Sequence, residues 1–181
     1  NQSYFLQNGG FVDGPVVYGD IVYGVGNNRK VFGYNLITKE KVMDVTIGGA
    51  TSSYYLSSII ADSAGYLYIS CPPKHEIYKL RISDQTYTVF ARQNGLNRPN
   101  GMLLERDRNR ILVIDDATNA KINAVSLSDS AVTTLLTTTL YSPDGIVKDK
   151  FGVYYIGGYY LSGLYRIDSL LVGPPVMIHS G

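Results

Sequence analysis

The strongest constraint on this chain is a short phrase that returns four times. It reads Phe11-Val12-Asp13-Gly14-Pro15, Tyr55-Leu56-Ser57-Ser58-Ile59, Arg98-Pro99-Asn100-Gly101-Met102 and Ser142-Pro143-Asp144-Gly145-Ile146. With Gly14, Ser58, Gly101 and Gly145 as the register, the spacings are 44, 43 and 44 residues. A period of this size marks stacked units, none of which buries its apolar face alone, so neighbours must supply the core. Three of the four phrases carry Asp or Asn just before the register position. If the repeats converge, those oxygens converge with them.

Within each repeat the same order follows. A short apolar strand (Pro15-Val17, Ile59-Ala61, Met102-Leu104, Ile146-Val147) leads into a turn of Gly, Asn and Asp, residues that tolerate turn geometry. Next comes a nearly continuous apolar strand: Ile21-Val25, Tyr66-Ile69, Ile111-Ile114 and Val153-Ile156. Runs of that kind predict strands buried on both faces between neighbouring sheets. The third strands (Val31-Leu36, Glu76-Ile82, Ala120-Val125, Gly163-Ile167) are more amphipathic. Polar turns such as Ser83-Asp84-Gln85 and Ser128-Asp129-Ser130 then lead to outer strands, Lys41-Ile47 and Thr86-Ala91 among them, that alternate as half-exposed edges do. No window shows a helical period.

Four strands per unit at this period predict an all-β fold, a β-propeller of four-stranded blades with about four blades present. Repeats fall near 11–54, 55–97, 98–141 and 142–181, and the whole of 1–181 reads as one domain or a portion of one. The segment Ser3-Gly10 matches Thr88-Gly95, so the chain opens on an outer strand and closes on another, Pro175-His179. The opening strand would complete the last blade of a ring or belong to a preceding blade; the sequence leaves both open.

Composition narrows function mainly by exclusion. The formal net charge is +1 with no basic run, which gives no electrostatic footprint for nucleic acid. No apolar stretch approaches 18 residues, so no membrane-spanning helix is expected. The chain opens at Asn1 without a signal-peptide pattern, as a processed or excerpted chain would. The single cysteine, Cys71, forms no internal disulfide, and the compartment stays open. Sixteen Tyr and no Trp suit sheet faces.

On these residues the chain resembles two overlapping propeller families. The Pro-x-Gly, strand, turn, strand unit looks like the NHL repeat. Phe11-Val17 with Asp20-Tyr23 and Arg29-Tyr34, Pro99-Met102, and Ser142-Ile146 with Gly152-Tyr155 and Gly163-Asp168 resemble blades of the senescence marker protein/gluconolactonase (regucalcin-like) family, a six-bladed propeller. That resemblance implies one divalent cation on the axis, held here by Asp13, Asn100 and Asp144. It departs from the family in three ways. Asp13 stands where the family has Glu, two repeats rather than three separate Asp13 from Asn100, and the second repeat offers Ser57-Ser58 where the family has its Asn-Asp-Gly substrate turn.

Two carboxylates and an amide oxygen suit Ca²⁺, Mg²⁺ or Mn²⁺ rather than Zn²⁺. Such an ion polarises a lactone carbonyl, and Asp144 would double as general base. The bland reading is that Asp13-Gly14, Asn100-Gly101 and Asp144-Gly145 are turn-forming dipeptides capping their own backbone. The links between second and third strands belong on the same face. They contribute Asn27-Asn28-Arg29, Asp115-Asp116 and the pair Tyr159-Tyr160, so Ser57, Asp115 and Tyr159 are candidate ligand contacts. In each of the pairs Tyr54-Tyr55 and Tyr159-Tyr160, one ring is expected to pack in the core. His75 has no nucleophile or second His at a telling spacing, His179 belongs to a terminal strand, and Cys71 reads as a core residue. The leading expectation is a binding module for a small-molecule ligand, a cation or a protein partner, either alone, in an oligomer, or with blades outside this chain. The alternative is a metal-dependent hydrolase of sugar lactones or related esters.

Overall fold

The structure is a computed structural model and describes residues 11–48, 54–92, 95–158 and 160–180. These described residues form sixteen strands in four antiparallel sheets of four. The first blade holds β1 (Phe11–Tyr18), β2 (Ile21–Gly26), β3 (Lys30–Asn35) and β4 (Lys41–Thr46). The second holds β5 (Ile59–Ala61), β6 (Tyr66–Cys71), β7 (Glu76–Arg81) and β8 (Tyr87–Arg92). The third holds β9 (Pro99–Glu105), β10 (Arg110–Asp115), β11 (Lys121–Ser126) and β12 (Val132–Thr137), and the fourth β13 (Gly145–Lys148), β14 (Tyr154–Gly157), β15 (Gly163–Ile167) and β16 (Val176–Ser180). Strands follow chain order across every sheet, as a meander joined by short turns requires. The architecture is an all-β propeller of four blades.

The turns carry the predicted chemistry. Asp62 Oδ1 accepts the amides of Ala64 and Tyr66, and Asp149 Oδ1 accepts those of Phe151 and Val153, one repeat pair further on. Asp84 and Asp129 do the same for Thr86 and Ala131 at the outer hairpins. Gln85 and Ser130 complete those hairpins in the left-handed region.

Three apolar seams join consecutive blades. Tyr23, Val25, Val31 and Met43 meet Leu67, Ile69 and Leu80 between the first two. Tyr68 and Ile77 meet Met102, Ile111 and Val113 between the second and third. Leu112, Ile114 and Ile122 meet Ile146, Tyr154 and Ile156 between the third and fourth. Each fully buried aliphatic side chain in these seams contributes about 1.5–3 kcal/mol. β6 and β10 are buried on both faces, as expected of strands between two sheets. β14 instead alternates buried and half-buried. Its Tyr154 and Ile156 face the third blade, whereas the opposite face of the sheet leaves Val147 and Val176 exposed.

The innermost strands stand around one centre. Gly14-Val16, Ser57-Ile60, Gly101-Leu103 and Asp144-Val147 line a single channel of about 440 Å³. Gly101 is required there for space, because a Cβ at this position would sit 2.1 Å from the Asp144 carbonyl oxygen. The β9 backbone therefore approaches β13 more closely than any side chain permits. The predicted opening strand Ser3-Gly10 lies outside the described residues. The predicted closing strand is β16, and it supplies the fourth strand of the last blade.

Candidate functional site

The channel opens into a second cavity, a mouth of about 610 Å³, and the two share Ser57 and Asp144. That volume falls in the range of small-molecule sites. Its floor is built from register-equivalent residues of three blades. Ser57, Asn100 and Asp144 each stand one residue before the register position. The Ser57 hydroxyl donates to Asn100 Oδ1 in a short hydrogen bond. Asn100 Nδ2 donates to Asp144 Oδ1 at 2.9 Å and to the Pro143 carbonyl at 3.3 Å. Ser57 and Asn100 are buried, while Asp144 is half-buried. Ser70 Oγ holds the Asn100 carbonyl at 2.8 Å, and the Asp144 amide donates to Gly157 O at 2.9 Å, so both backbones are fixed from behind.

A second tier lies above the floor. Tyr55, Arg98 and Ser142 each stand three residues before the register position. Asp116, in the link after β10, ties them together. Arg98 Nη2 donates to Asp116 Oδ2 at 2.6 Å and to the Tyr55 hydroxyl at 3.0 Å, and the Ser142 hydroxyl donates to Asp116 Oδ1. Burial alone pushes the Asp116 carboxyl up. The Ser142 hydroxyl and the Arg98 guanidinium outweigh it and hold the group below the usual carboxylate range. Arg98 and Ser142 both adopt left-handed backbone conformations, with φ of 57° and 48°. Such positions cost about 1–3 kcal/mol each and persist where surrounding contacts enforce them. For Arg98 one such contact is visible: His75 Nδ1 accepts its amide hydrogen at 3.0 Å.

The walls include Tyr55, Tyr160, Asn27 and Asn28. Tyr160 is 67% exposed and meets Tyr141 edge to face at 6.3 Å. Tyr54 packs against the first apolar seam, with the cations of Arg29 and Lys74 each 5.0 Å from its ring centre. Tyr54 is half-buried and lines the mouth as well, while Tyr55 is exposed at the rim.

Of the sequence-derived candidates, Ser57, Asn100 and Asp144 are brought together. Asp13 lies in β1 opposite Val25, and its side chain lies outside the described part of the structure. Tyr159 also lies outside the described residues. Asp115 does not reach the mouth. It is buried at 1% exposure behind it, accepting from Asn123 Nδ2 at 3.2 Å and the Asn97 amide at 3.4 Å. Burial pushes its carboxyl up to about 6. The neighbouring Asp116 occupies the mouth instead. Cys71 is buried with its thiol pushed up to about 11 by burial, as a core residue's would be. His179 lies on the exposed β16.

Sequence reasoning put the pair Asp115-Asp116 on this face but chose Asp115 as the contact, and it missed Arg98 and Ser142. The signal for those two was available, since Arg98 and Ser142 share a register offset with Tyr55.

A divalent cation fits the described donors only in part. Among the described residues no group of three or more His, Cys, Asp or Glu side chains converges. Asp144 supplies the axial carboxylate, and Asn100 turns its Nδ2, not its oxygen, towards it. Six to eight oxygen ligands are the usual shell of Ca²⁺. One carboxylate beside a turned amide falls well short of that shell.

No protein-family model matches the chain, and no curated protein matches it. Solved structures do. A chain of the nidogen/laminin complex superposes with a TM-score of 0.74 at 14% identity, over 89% of this chain and 61% of that one. Virginiamycin B lyase from Staphylococcus aureus gives 0.72 at 14% identity over 91% and 55%. Regucalcin from Agrobacterium tumefaciens, a calcium-binding protein, gives 0.70 at 12% identity over 93% and 59%. The chain therefore spans between 55% and 61% of the length of these structures. At such identities the likeness is one of fold. Among the described residues no helix is long and apolar enough to cross a membrane.

Proposed function

We propose that this chain is a propeller binding module whose axial mouth seats a small polar ligand. The observation that carries the reading is the Ser57–Asn100–Asp144 chain. It places a buried, ordered polar floor beneath a 610 Å³ mouth walled by Tyr55 and Tyr160. A few fixed polar groups under an aromatic wall are what orient a ligand in a concave site. A fragment screen followed by amide shifts in NMR tests it. Hits should perturb the amides of Ser57, Gly101 and Gly145 and lose affinity in Tyr55→Ala. Hits that leave those amides unmoved, or none at all, would refute the proposal.

A second reading, hydrolysis of sugar lactones with a divalent cation, draws support from the regucalcin likeness and from the axial pairing of Asn100 with Asp144. Asp13, Asn100 and Asp144 would hold the cation, which would supply Lewis-acid polarisation of the carbonyl. Of that set, the described side chains are those of Asn100 and Asp144. Thermal melts with Ca²⁺, Mn²⁺ and EDTA decide, since a native-state ligand raises the midpoint. A shift abolished by Asp144→Ala supports this reading. No shift, together with no lactonase activity, removes it. Binding of a protein partner at the same mouth draws support from the exposed Tyr141 and Tyr160 and from the fold shared with the nidogen/laminin complex. Protein partners protecting the mouth amides from exchange would support it.

A further inference from the structure

The direction of the hydrogen bonds on the floor narrows the ligand class, on the premise that the mouth is the binding site. The Ser57 hydroxyl and the Asn100 side-chain amide, the two described side-chain donors of the floor, both donate within it. The Ser57 hydroxyl points at Asn100 Oδ1, and the Asn100 amide group is divided between Asp144 and the Pro143 carbonyl. The chain runs one way and ends on a carboxylate. Asp144 Oδ1 accepts one hydrogen bond, and among the described residues no Lys, Arg or His lies within ion-pair distance of it. The other carboxylate in the mouth, Asp116, is neutralised by Arg98 at 2.6 Å. Among the described residues, the floor of the mouth therefore ends on an acceptor, the Asp144 carboxylate, whose charge no Lys, Arg or His pairs, while Asn27 and Asn28 bring amide groups to the wall.

Its aromatic walls add a second preference. Tyr55 and Tyr160 stand at the rim, and ring faces attract cations when these are desolvated. The nearby cations Arg29 and Lys74 are already placed over Tyr54, which also lines the mouth, so the rings at its rim for a further cation are those of Tyr55 and Tyr160. A divalent metal matches this arrangement less well than a monocation. It asks for more oxygen ligands than Asp144 and Asn100 offer among the described residues, and it leaves most of the 610 Å³ unfilled.

We propose that the mouth binds an organic ammonium, its N–H groups donating to the Asp144 carboxylate and its carbon frame lying between Tyr55 and Tyr160. Free amines and lysine side chains share this chemistry. The test uses three matched probes of one size: phenethylammonium, phenethyl alcohol and phenylacetate, with binding read by NMR shifts of the mouth amides. The ammonium should bind about tenfold or more tighter than the alcohol, as hydrogen bonds to a charged group do, and phenylacetate should bind weakest. In Asp144→Asn the ammonium should lose that advantage and fall to about the affinity of the alcohol for the same variant, while an unchanged urea unfolding midpoint shows the variant folded. Nα-acetyl-lysine amide separates the sources. If it binds tighter than phenethylammonium, a lysine side chain is the natural occupant; if weaker, a free amine is. Equal binding of ammonium and alcohol, or tightest binding of phenylacetate, overturns the ammonium assignment while the mouth stands as a site. If no probe of any charge moves the mouth amides, the site itself falls with it.

Discussion

Replacing Glu105 by Gln should unlock the seam between the third and fourth blades. Glu105 ends β9 at 2% exposure, and its carboxylate takes three hydrogen bonds and one further ion-pair contact. Arg110 donates through Nε at 2.7 Å, with Nη2 in ion-pair contact at 2.7 Å, and Lys148 Nζ donates at 2.6 Å and the Tyr154 hydroxyl at 2.5 Å. Lys148 and Tyr154 belong to the next blade, so one carboxylate pins two sheets. Burial pushes its pKa up, and the bonds from Lys148, Tyr154 and Arg110 more than reverse this and leave it below the ordinary value. Gln keeps the shape but removes the charge and aims an N–H₂ at one of the cations. Breaking a buried pair costs about 3–5 kcal/mol. Lys148 and Arg110 retain about a fifth of their side-chain exposure and can rehydrate, so the lower end of that range applies. About 3 kcal/mol corresponds to a fall in Tm of roughly 6–12 °C for a chain of this size. Urea unfolding with a shifted midpoint and unchanged slope is the assay. Because the folded pKa is depressed, this stabilisation is present above the unfolded carboxyl pKa and fades as pH falls through the folded value. The gap between wild type and variant should therefore shrink below about pH 4. A loss under 1 kcal/mol at pH 7, or a gap that does not change with pH, would refute the reasoning.

Asp115→Asn should act in the opposite sense. Its folded pKa near 6 lies above the unfolded value, so its charge destabilises the fold increasingly as pH rises from about 4 to 6. The variant should be more stable than wild type at pH 7.5 by up to about 2–3 kcal/mol, an advantage absent at pH 4; equal stability at both would contradict it. Gly101→Ala drives a methyl into the Asp144 carbonyl and should cost about 1–3 kcal/mol in urea unfolding. Gly145→Ala serves as the control, since a Cβ there meets nothing within 4 Å.

Much of this architecture was legible because a propeller repeats its local code. The 44-residue return of one phrase placed all four inner strands, and Asn100 and Asp144 were found through their shared register. What escaped the sequence depends on geometry with a period of two. Asp115 ends β10 and turns inward with Val113 and Asn123, whereas Asp116, one residue on, reaches the mouth. Composition cannot choose between adjacent acids; the strand register does. The direction of the Ser57–Asn100–Asp144 chain was equally hidden, because an Asn offers both a donor and an acceptor and its neighbours in space decide which faces which. β14 reads as a strand buried on both faces, yet one of its faces is only half-buried among the described residues, since burial belongs to the neighbouring sheet and not to the strand's own residues.

The convergence of Asn100 and Asp144 on one axial volume is best examined with a double-mutant cycle of Asn100→Ala and Asp144→Ala, read by urea unfolding. Side chains 44 residues apart in the chain but joined at 2.9 Å should couple by about 0.5–2 kcal/mol. Losses that add to within about 0.3 kcal/mol would mean that the two side chains do not share the axis.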